Sequence, residues 1–180
     1  MSFIEDVKAK AKARMKTIVL PEAEDKRTLE AAQQIKKEGF AKLILLGNKE
    51  TVEKDAQNYG LDLSGIEVVD PKTSPALNDY VTCLAELRKS KGMTEEEARK
   101  ILTESNTYFA VMMVKKGDAD GLVSGACHST ADTLRPSLQI LKTKPGTKLV
   151  SAFFVMVVPD CSYGENGTFV FSDCGLNQNP

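Results

Sequence analysis

The sequence has little of what most metal, nucleic-acid and membrane sites require. It has one histidine, His128, and its four cysteines form no C-x-x-C pair. A structural zinc site usually needs four Cys or His ligands, so no metal site is expected. The 24 Lys and Arg are balanced by 25 Asp and Glu, with a formal net charge of −1. This balance gives no electrostatic case for binding nucleic acid or a membrane surface, and no apolar run approaches the roughly 18 residues that cross a bilayer.

The N-terminal segment, MSFIEDVKAKAKARMK, lacks the apolar stretch of a secretory signal. Its basic charge is shared with mitochondrial transit peptides, but Glu5 and Asp6 argue against one. An ordinary first helix is expected, with Phe3, Ile4 and Val7 on one face. Without a secretory context the cysteines are expected to be free thiols in a reducing cytosol, so the chain is expected to be cytoplasmic.

Apolar runs alternate with helical patterns along most of the chain. Strands are predicted at 17–20, 43–46, 66–69 and 121–125, and helices at 25–38, 50–59, 76–90, 94–116 and 130–142. Apolar strands that alternate with helices predict an α/β fold, with a mainly parallel sheet covered on both faces by helices. Thr94 and Glu97 have the spacing of a capping box, which indicates a helix start.

The alternation stops at Lys144-Pro145-Gly146. Two strand-like runs follow, at 149–158 and 168–172, with no helical pattern between them. This change predicts a boundary near residue 146. Residues 1–146 then form a first α/β domain, and residues 147–180 begin a second.

The segment from Gly117 to Ile140, GDADGLVSGACHSTADTLRPSLQI, carries the strongest functional signal. A predicted strand ends at Ser124, and Ser129 and Thr130 are suitable residues for the start of a helix. The free N–H groups and positive dipole of a helix N-terminus suit an anion, and Arg135 adds a guanidinium that can hold a phosphate. The segment therefore predicts a phosphate site. An ordinary capped turn without a ligand is the alternative.

The sequence SGACHSTADTLRP within this segment resembles the signature of the phosphate acetyltransferase and phosphate butyryltransferase family. Other similar segments follow in order: IVLPEAEDKRTLEAA (18–32), LILLGN (43–48), VVDPKTSP (68–75), ELRKSKGMT (86–94), YFAVMMVKKGDADGLVSG (108–125) and SAFFVMVVPDCSYGENGTFVFSDCGLN (151–177). The resemblance runs through the whole chain but covers only about the N-terminal half of the family's proteins. The chain is therefore expected to be a truncated form or a fragment.

The resemblance implies a three-layer α/β/α fold of the isocitrate/isopropylmalate dehydrogenase type. It also implies reversible acyl transfer in acetate metabolism, in which acetyl-CoA and phosphate give acetyl phosphate and coenzyme A. Coenzyme A is then a substrate, no cofactor or metal is needed, and the full-length protein is expected to be a homodimer.

The same resemblance assigns substrate binding to Arg135, Arg88 and Arg27. Ser124, Ser129 and Thr130 are candidate hydroxyl donors to phosphate. Cys161 is expected to line the cleft rather than to act as a nucleophile, while Cys127 and Cys174 are expected to be packing residues.

The family's catalytic base matches no motif in this sequence. The resemblance places that base beyond Pro180, the last residue of the chain. The 180-residue chain alone is therefore expected to be inactive. The candidate bases within the chain are five aspartates, Asp118, Asp120, Asp132, Asp160 and Asp173.

Three alternatives stay open beside the acetyl transfer that the resemblance implies. The first is butyryl transfer. Contacts in the acyl pocket would distinguish a butyryl from an acetyl group by only about 1–3 kcal/mol of binding free energy. A non-catalytic domain that senses coenzyme A is a second possibility, although the Met1 start with its own first helix is unfavourable to it. The third is a non-catalytic fragment that binds coenzyme A or acyl phosphate.

Overall fold

A four-stranded parallel sheet organises the larger part of the chain. The computed structural model describes residues 3–148 and 150–172. The strands are β1 (Thr17–Leu20), β2 (Lys42–Leu46), β3 (Glu67–Val69) and β4 (Gly121–Leu122), in the spatial order β3-β2-β1-β4. Every neighbouring pair in this sheet is parallel, which confirms the predicted α/β class.

Helices cover both faces of this sheet. Helix α1 (Phe3–Arg14) precedes β1 and buries none of its residues. The helices on the two faces are α2 (Lys26–Glu38), α3 (Lys49–Tyr59), α4 (Leu77–Arg88), α5 (Glu95–Glu104), α6 (Asn106–Lys116) and α7 (Thr130–Ile140), with a short 3-10 helix at Lys89–Lys91. Side chains alternate across each strand. Val19 and Ile44 therefore pack with residues of α4–α7 on one face, whereas Leu20 and Leu45 pack with α2 and α3 on the other. This arrangement confirms the three layers.

The long helix predicted over 94–116 is wrong, because the structure has two helices there. Ser105 has extended backbone angles and ends α5. Its hydroxyl accepts a hydrogen bond from the Tyr108 N–H and so caps the start of α6. The capping box of Thr94 and Glu97 at the start of α5 is confirmed in both of its hydrogen bonds. The apolar helix α6 buries Met112 and Met113, as expected for core residues.

The predicted strand 121–125 is also too long, since β4 ends at Leu122. Val123 still donates its N–H to the Val19 carbonyl at 3.1 Å. From Gly125 onward, the N–H groups leave the sheet and bond to a side chain of the neighbouring loop. The last predicted helix ends two residues early, because Leu141 caps it and Lys142 has a positive φ of 63°.

The contacts divide the described chain into two units. One covers Lys10–Lys142, and the other joins the described residues up to Ala9 with those from Thr143 onward. The second unit contains an antiparallel hairpin of β5 (Phe153–Val157) and β6 (Thr168–Ser172). The predicted strand start at Leu149 lies outside the described residues. The predicted domain boundary at residue 146 stays a prediction.

The first helix is present as expected, over Phe3–Arg14. Its apolar residues Phe3, Ile4 and Val7 are all exposed. Across residues 3–148 and 150–172, no helix combines the length and the apolar character needed to cross a membrane.

Candidate functional site

Two loops meet at the carboxyl edge of the sheet where the strand order changes direction. The chain moves from β1 to β2 and β3 on one side, and β4 then returns to the opposite side of β1. In open α/β sheets, ligands bind in the crevice at such a switch point, outside the carboxyl ends of the strands. Here the crevice lies between the loop after β1, which starts at Pro21, and the loop after β4, which starts at Val123.

The side chain of Glu22 joins these two loops. Its carboxylate accepts the backbone N–H groups of Gly125 and Ala126 at Oε2, over 2.8 and 2.9 Å. It accepts those of Cys127 and His128 at Oε1, over 3.0 and 3.1 Å. Glu22 is 2% exposed, so these bonds replace the water that the carboxylate loses on folding.

The hydrogen bonds to Glu22 outweigh the cost of burying its charge. Burial by itself raises the pKa of Glu22, but the backbone N–H groups of Cys127, Ala126 and Gly125 and the His128 ring lower this pKa from 4.5 to about 2. The side chain is therefore a carboxylate at every physiological pH. Gly125 permits the arrangement, because its φ of 114° is a conformation that L side chains rarely adopt.

His128 and Cys127 complete the surroundings of the carboxylate. The Nδ1 atom of His128 lies 2.8 Å from Glu22 Oε1, and an ionised carboxylate can only accept, so Nδ1 carries the proton. The Cys127 Sγ atom lies 3.6 Å from Glu22 Oε1 and 3.6 Å from Glu24 Oε1. Burial and the carboxylates of Glu24 and Glu22 raise the pKa of the Cys127 thiol to about 11. Cys127 is therefore a protonated thiol at neutral pH and a poor nucleophile.

Arg27 is held in place at the rim of the same crevice. Its guanidinium donates to the Asp25 carboxylate over 3.0 and 2.7 Å and to the Ala126 carbonyl over 2.5 Å. The hydrogen bond from the Arg27 side chain is the main cause of the lowered pKa of Asp25. The Arg27 side chain is 71% exposed, so its free edge faces solvent while Asp25 fixes its orientation.

The start of α7 is capped by its own residues. Ser129 Oγ accepts from the Asp132 N–H at 3.2 Å and donates to the Asp132 carboxylate at 2.6 Å. Asp132 is thus a cap partner. In the part of the chain that the structure describes, the N–H groups of Thr130 and Ala131 have no hydrogen-bond partner, and the exposed Arg135 follows on the next turn.

Among the described residues, the N–H groups of the turn before α7 are not free, in contrast to the first two N–H groups of the helix. Four of them, from Gly125 to His128, are already occupied by Glu22. These four N–H groups are therefore not available to an external anion. The expectation that Cys127 is a packing residue is wrong, because it is exposed and hydrogen-bonded. Cys174 lies outside the described residues.

The predicted site residues fall into two groups. Arg27 lies in the first turn of α2, whereas Ser124, Ser129, Thr130 and Arg135 lie in the loop after β4 or in α7. Arg27 and Ser124 line a cavity of about 360 Å³ whose other walls are mostly residues of β1, α2 and β2. The Ser124 Oγ atom is buried and, among the described residues, has no hydrogen-bond partner.

Arg88 and Cys161 make up the second group of predicted residues. Arg88 is the last residue of α4, and its Nε atom is buried without a partner among the described residues. Cys161 is a half-buried free thiol in the hairpin of the other unit.

Most of the aspartates considered as a base have structural partners. Asp118 accepts a hydrogen bond from the Tyr80 hydroxyl. Asp120 binds Lys16 Nζ at 2.6 Å and the Thr17 N–H at 2.8 Å, and these contacts lower its pKa. Asp160 lies in the β5–β6 loop with a positive φ of 53°.

The position of the catalytic base beyond Pro180 stays a prediction. Asp173 and Pro180 both lie outside the described residues, which stop at Ser172. No geometry around Pro180 therefore bears on the expectation that the base follows it. The partners of Asp118, Asp120 and Asp132 are consistent with that expectation, because each of these carboxylates already has a structural role.

Sequence reasoning missed Glu22 and His128. Glu22 is about a hundred residues from its partners, and no periodic pattern links positions so far apart. The available signal was weak. Glu22 is an acidic residue just beyond a predicted strand, and the small residues Gly125 and Ala126 lie at the end of another predicted strand.

Comparison with known proteins identifies the family. The sequence matches the family described as "Phosphate acetyl/butaryl transferase" over residues 2–180. The chain belongs to this family. The phosphate acetyltransferase of Acetivibrio thermocellus is 57% identical over 180 residues, which are 100% of this chain and 53% of that protein.

Solved structures of the family have the same fold as this member. A phosphotransacetylase from Streptococcus pyogenes is 38% identical with a TM-score of 0.89, over 100% of this chain and 54% of that one. The EutD phosphotransacetylase from Staphylococcus aureus is 42% identical with a TM-score of 0.85, over 97% and 50%. This family member spans about half the length of the relatives that it matches.

Replacing Glu22 by Gln is expected to destabilise this family member by about 2–4 kcal/mol. The amide has one acceptor oxygen, and its NH₂ group would face two of the four N–H groups that the carboxylate now accepts. Chemical denaturation measures the loss. Glu30→Gln on the exposed side of α2 is the matched control, and a loss of no more than about 0.5 kcal/mol is expected there. Equal stability of the two variants would contradict the role of Glu22.

The contribution of Glu22 is also expected to depend on pH. Its folded-state pKa of about 2 is below the usual 4.5, so its stabilisation is fully present above pH 4.5 and is lost as the pH falls towards 2. Between pH 6 and pH 3, in metal-free buffer, the stability gap between wild type and Glu22→Gln should narrow by about 2 kcal/mol. A gap that stays constant would show that the carboxylate titrates normally.

Proposed function

We propose that this family member carries the substrate-binding half of a phosphate acetyltransferase. In the whole protein, acetyl-CoA and inorganic phosphate would react reversibly to acetyl phosphate and coenzyme A. The observation that carries the proposal is a cavity lined by Arg27 and Ser124 beside the switch point of the sheet, where the loop after β4 leads into α7. Family membership over residues 2–180 supports the same reaction.

The groups left free at the crevice suit a phosphate dianion. Arg27 offers the Nη1 group of its guanidinium, because Nε and Nη2 already donate to Asp25 and to the Ala126 carbonyl. The first turn of α7 offers the N–H groups of Thr130 and Ala131, where the helix dipole also favours negative charge. Arg135 follows on α7, and its planar fork can bind two phosphate oxygens at once.

Glu22 has an indirect part in this proposal. By occupying the N–H groups of Gly125–His128, it sets the path of the loop that leads into α7. The Thr130 hydroxyl and the Arg135 guanidinium are then carried on a fixed first turn of α7, whereas the Ser129 hydroxyl already donates to Asp132. Donors that are already oriented need no reorganisation when charge develops in the transition state.

The proposed reaction is a direct attack of the coenzyme A thiolate on the carbonyl carbon of acetyl phosphate. The carbon–sulfur bond forms, the carbon–oxygen bond to phosphate breaks, and phosphate leaves with the electron pair. Within the described residues we assign binding and charge stabilisation to Arg27, Arg135 and Arg88. We assign the proton-accepting base to none of them, and propose that the whole protein supplies it from beyond Pro180.

The remaining features of the proposal concern the whole protein. Acetyl rather than butyryl is the proposed acyl group, because the relatives carry the name phosphate acetyltransferase. The reaction as written needs no cofactor besides its substrates. A homodimer is proposed from the family resemblance, and the cytoplasm is the proposed location because coenzyme A is a metabolite of that compartment.

Arg135 provides the test of this site. Arg135→Lys is expected to behave like Arg135→Ala, because an ammonium group cannot reproduce two parallel hydrogen bonds. Loss of this charge-assisted contact should cost about 1.5–3 kcal/mol, or roughly 10- to 100-fold in affinity for acetyl phosphate or coenzyme A. Isothermal titration calorimetry measures the affinities, and kcat/KM is the second readout wherever the whole enzyme is assayed.

Arg99→Lys is the matched control, since Arg99 lies on α5 and donates to Asn78. It should keep wild-type affinity. Wild-type binding by both Arg135 variants would contradict the proposed phosphate site. Unfolding of both, seen as a lost melting transition, would make Arg135 a structural residue instead.

A further inference from the structure

Three metal-ligating groups come together at the junction of the two loops. The ligand atoms of Glu22, Cys127 and His128 all lie within 4.8 Å of one another. Cys127 Sγ is 3.5 Å from His128 Nδ1 and 3.6 Å from Glu22 Oε1. A second carboxylate, that of Glu24, lies 3.6 Å from the same sulfur.

These separations are those of a tetrahedral metal site. Zinc binds sulfur at about 2.3 Å and nitrogen or oxygen at about 2.0–2.2 Å, so tetrahedral angles place sulfur about 3.5–3.6 Å from each other ligand. The separations of Sγ from the Glu22 and His128 ligand atoms, 3.6 and 3.5 Å, agree with this value. The geometry points to a binding site for a single zinc-class divalent cation, held by Glu22, Cys127 and His128, with its fourth position towards Glu24 and solvent.

The charges around the cluster favour a divalent cation. The carboxylates of Glu22 and Glu24 both face the thiol. The nearest cation, Arg27, is offset by its pair with Asp25 at 2.7 Å. Among the described contacts of Cys127, two carboxylates face a single imidazole, a balance that favours a cation.

The donor set selects the type of metal. A thiolate and an imidazole favour zinc or cobalt(II), whereas magnesium and calcium prefer oxygen ligands alone. Binding would displace two protons, the one on the Cys127 thiol and the one that His128 Nδ1 shares with Glu22. The Nδ1 and Oε1 atoms, now 2.8 Å apart, would separate by about 0.5 Å to span a tetrahedral edge. The Oε2 atom would keep its bonds to Gly125 and Ala126.

The test is a titration of the purified protein with zinc in competition with a chromophoric chelator. Wild type should bind one zinc ion, and Cys127→Ser should bind it more weakly by at least the roughly 10- to 100-fold that loss of an outer-shell partner costs. Cys83→Ser is the matched control, because Cys83 is a free cysteine on α4 outside the cluster, and it should bind like wild type. Zinc should also raise the melting temperature of wild type and Cys83→Ser, but not that of Cys127→Ser.

Cobalt(II) gives a readout that does not depend on any variant's folding. A thiolate-to-cobalt charge-transfer band in wild type, absent in Cys127→Ser, would support the site. Absence of this band in wild type, or the same zinc affinity in Cys127→Ser as in wild type, would overturn it. Neither result bears on acetyl transfer, because the cluster is argued independently of the proposed reaction.

Discussion

The carboxylate of Glu22 is the interaction on which the rest of the site depends. A buried charge in a protein of this size is costly unless it is fully hydrogen-bonded. Here four consecutive N–H groups and an imidazole meet that requirement. Because the donors belong to the loop after β4 and the acceptor to the loop after β1, the same bonds determine the shape of the crevice.

The sheet explains why these two loops meet. The order β3-β2-β1-β4 places the carboxyl ends of β1 and β4 side by side, although the strands are separated by about a hundred residues of chain. The N–H groups of the loop after β4 and of the first turn of α7 differ in their hydrogen-bond partners. Those of Gly125–His128 donate to the protein's own carboxylate, whereas the first turn of α7 is the place proposed for an external anion. The segment thus combines internal anion binding and a proposed phosphate site within eight residues.

Local features of the fold were predictable from the sequence, and long-range ones were not. The runs at Thr17–Leu20 and Thr168–Ser172 were predicted with the bounds that the structure has, because apolar and β-branched residues mark them. The break at Ser105 was missed, since a serine that caps two helices interrupts no apolar pattern. Arg27 was predicted from the family resemblance, and Ser124 and Ser129 from their hydroxyls in the loop before a helix. Glu22 could be recognised only once the order of the strands was known.

Amide hydrogen exchange tests the central claim most directly. At neutral pH the N–H groups of Gly125, Ala126, Cys127 and His128 should be protected in wild type, while those of Thr130 and Ala131, in the same segment, should exchange rapidly. In Glu22→Gln the four protected amides should exchange much faster, with the sheet amides of β1 and β2 less affected. If Gly125–His128 exchange as fast as Thr130 and Ala131 in the wild-type protein, Glu22 does not hold this loop, and the account of the site is wrong.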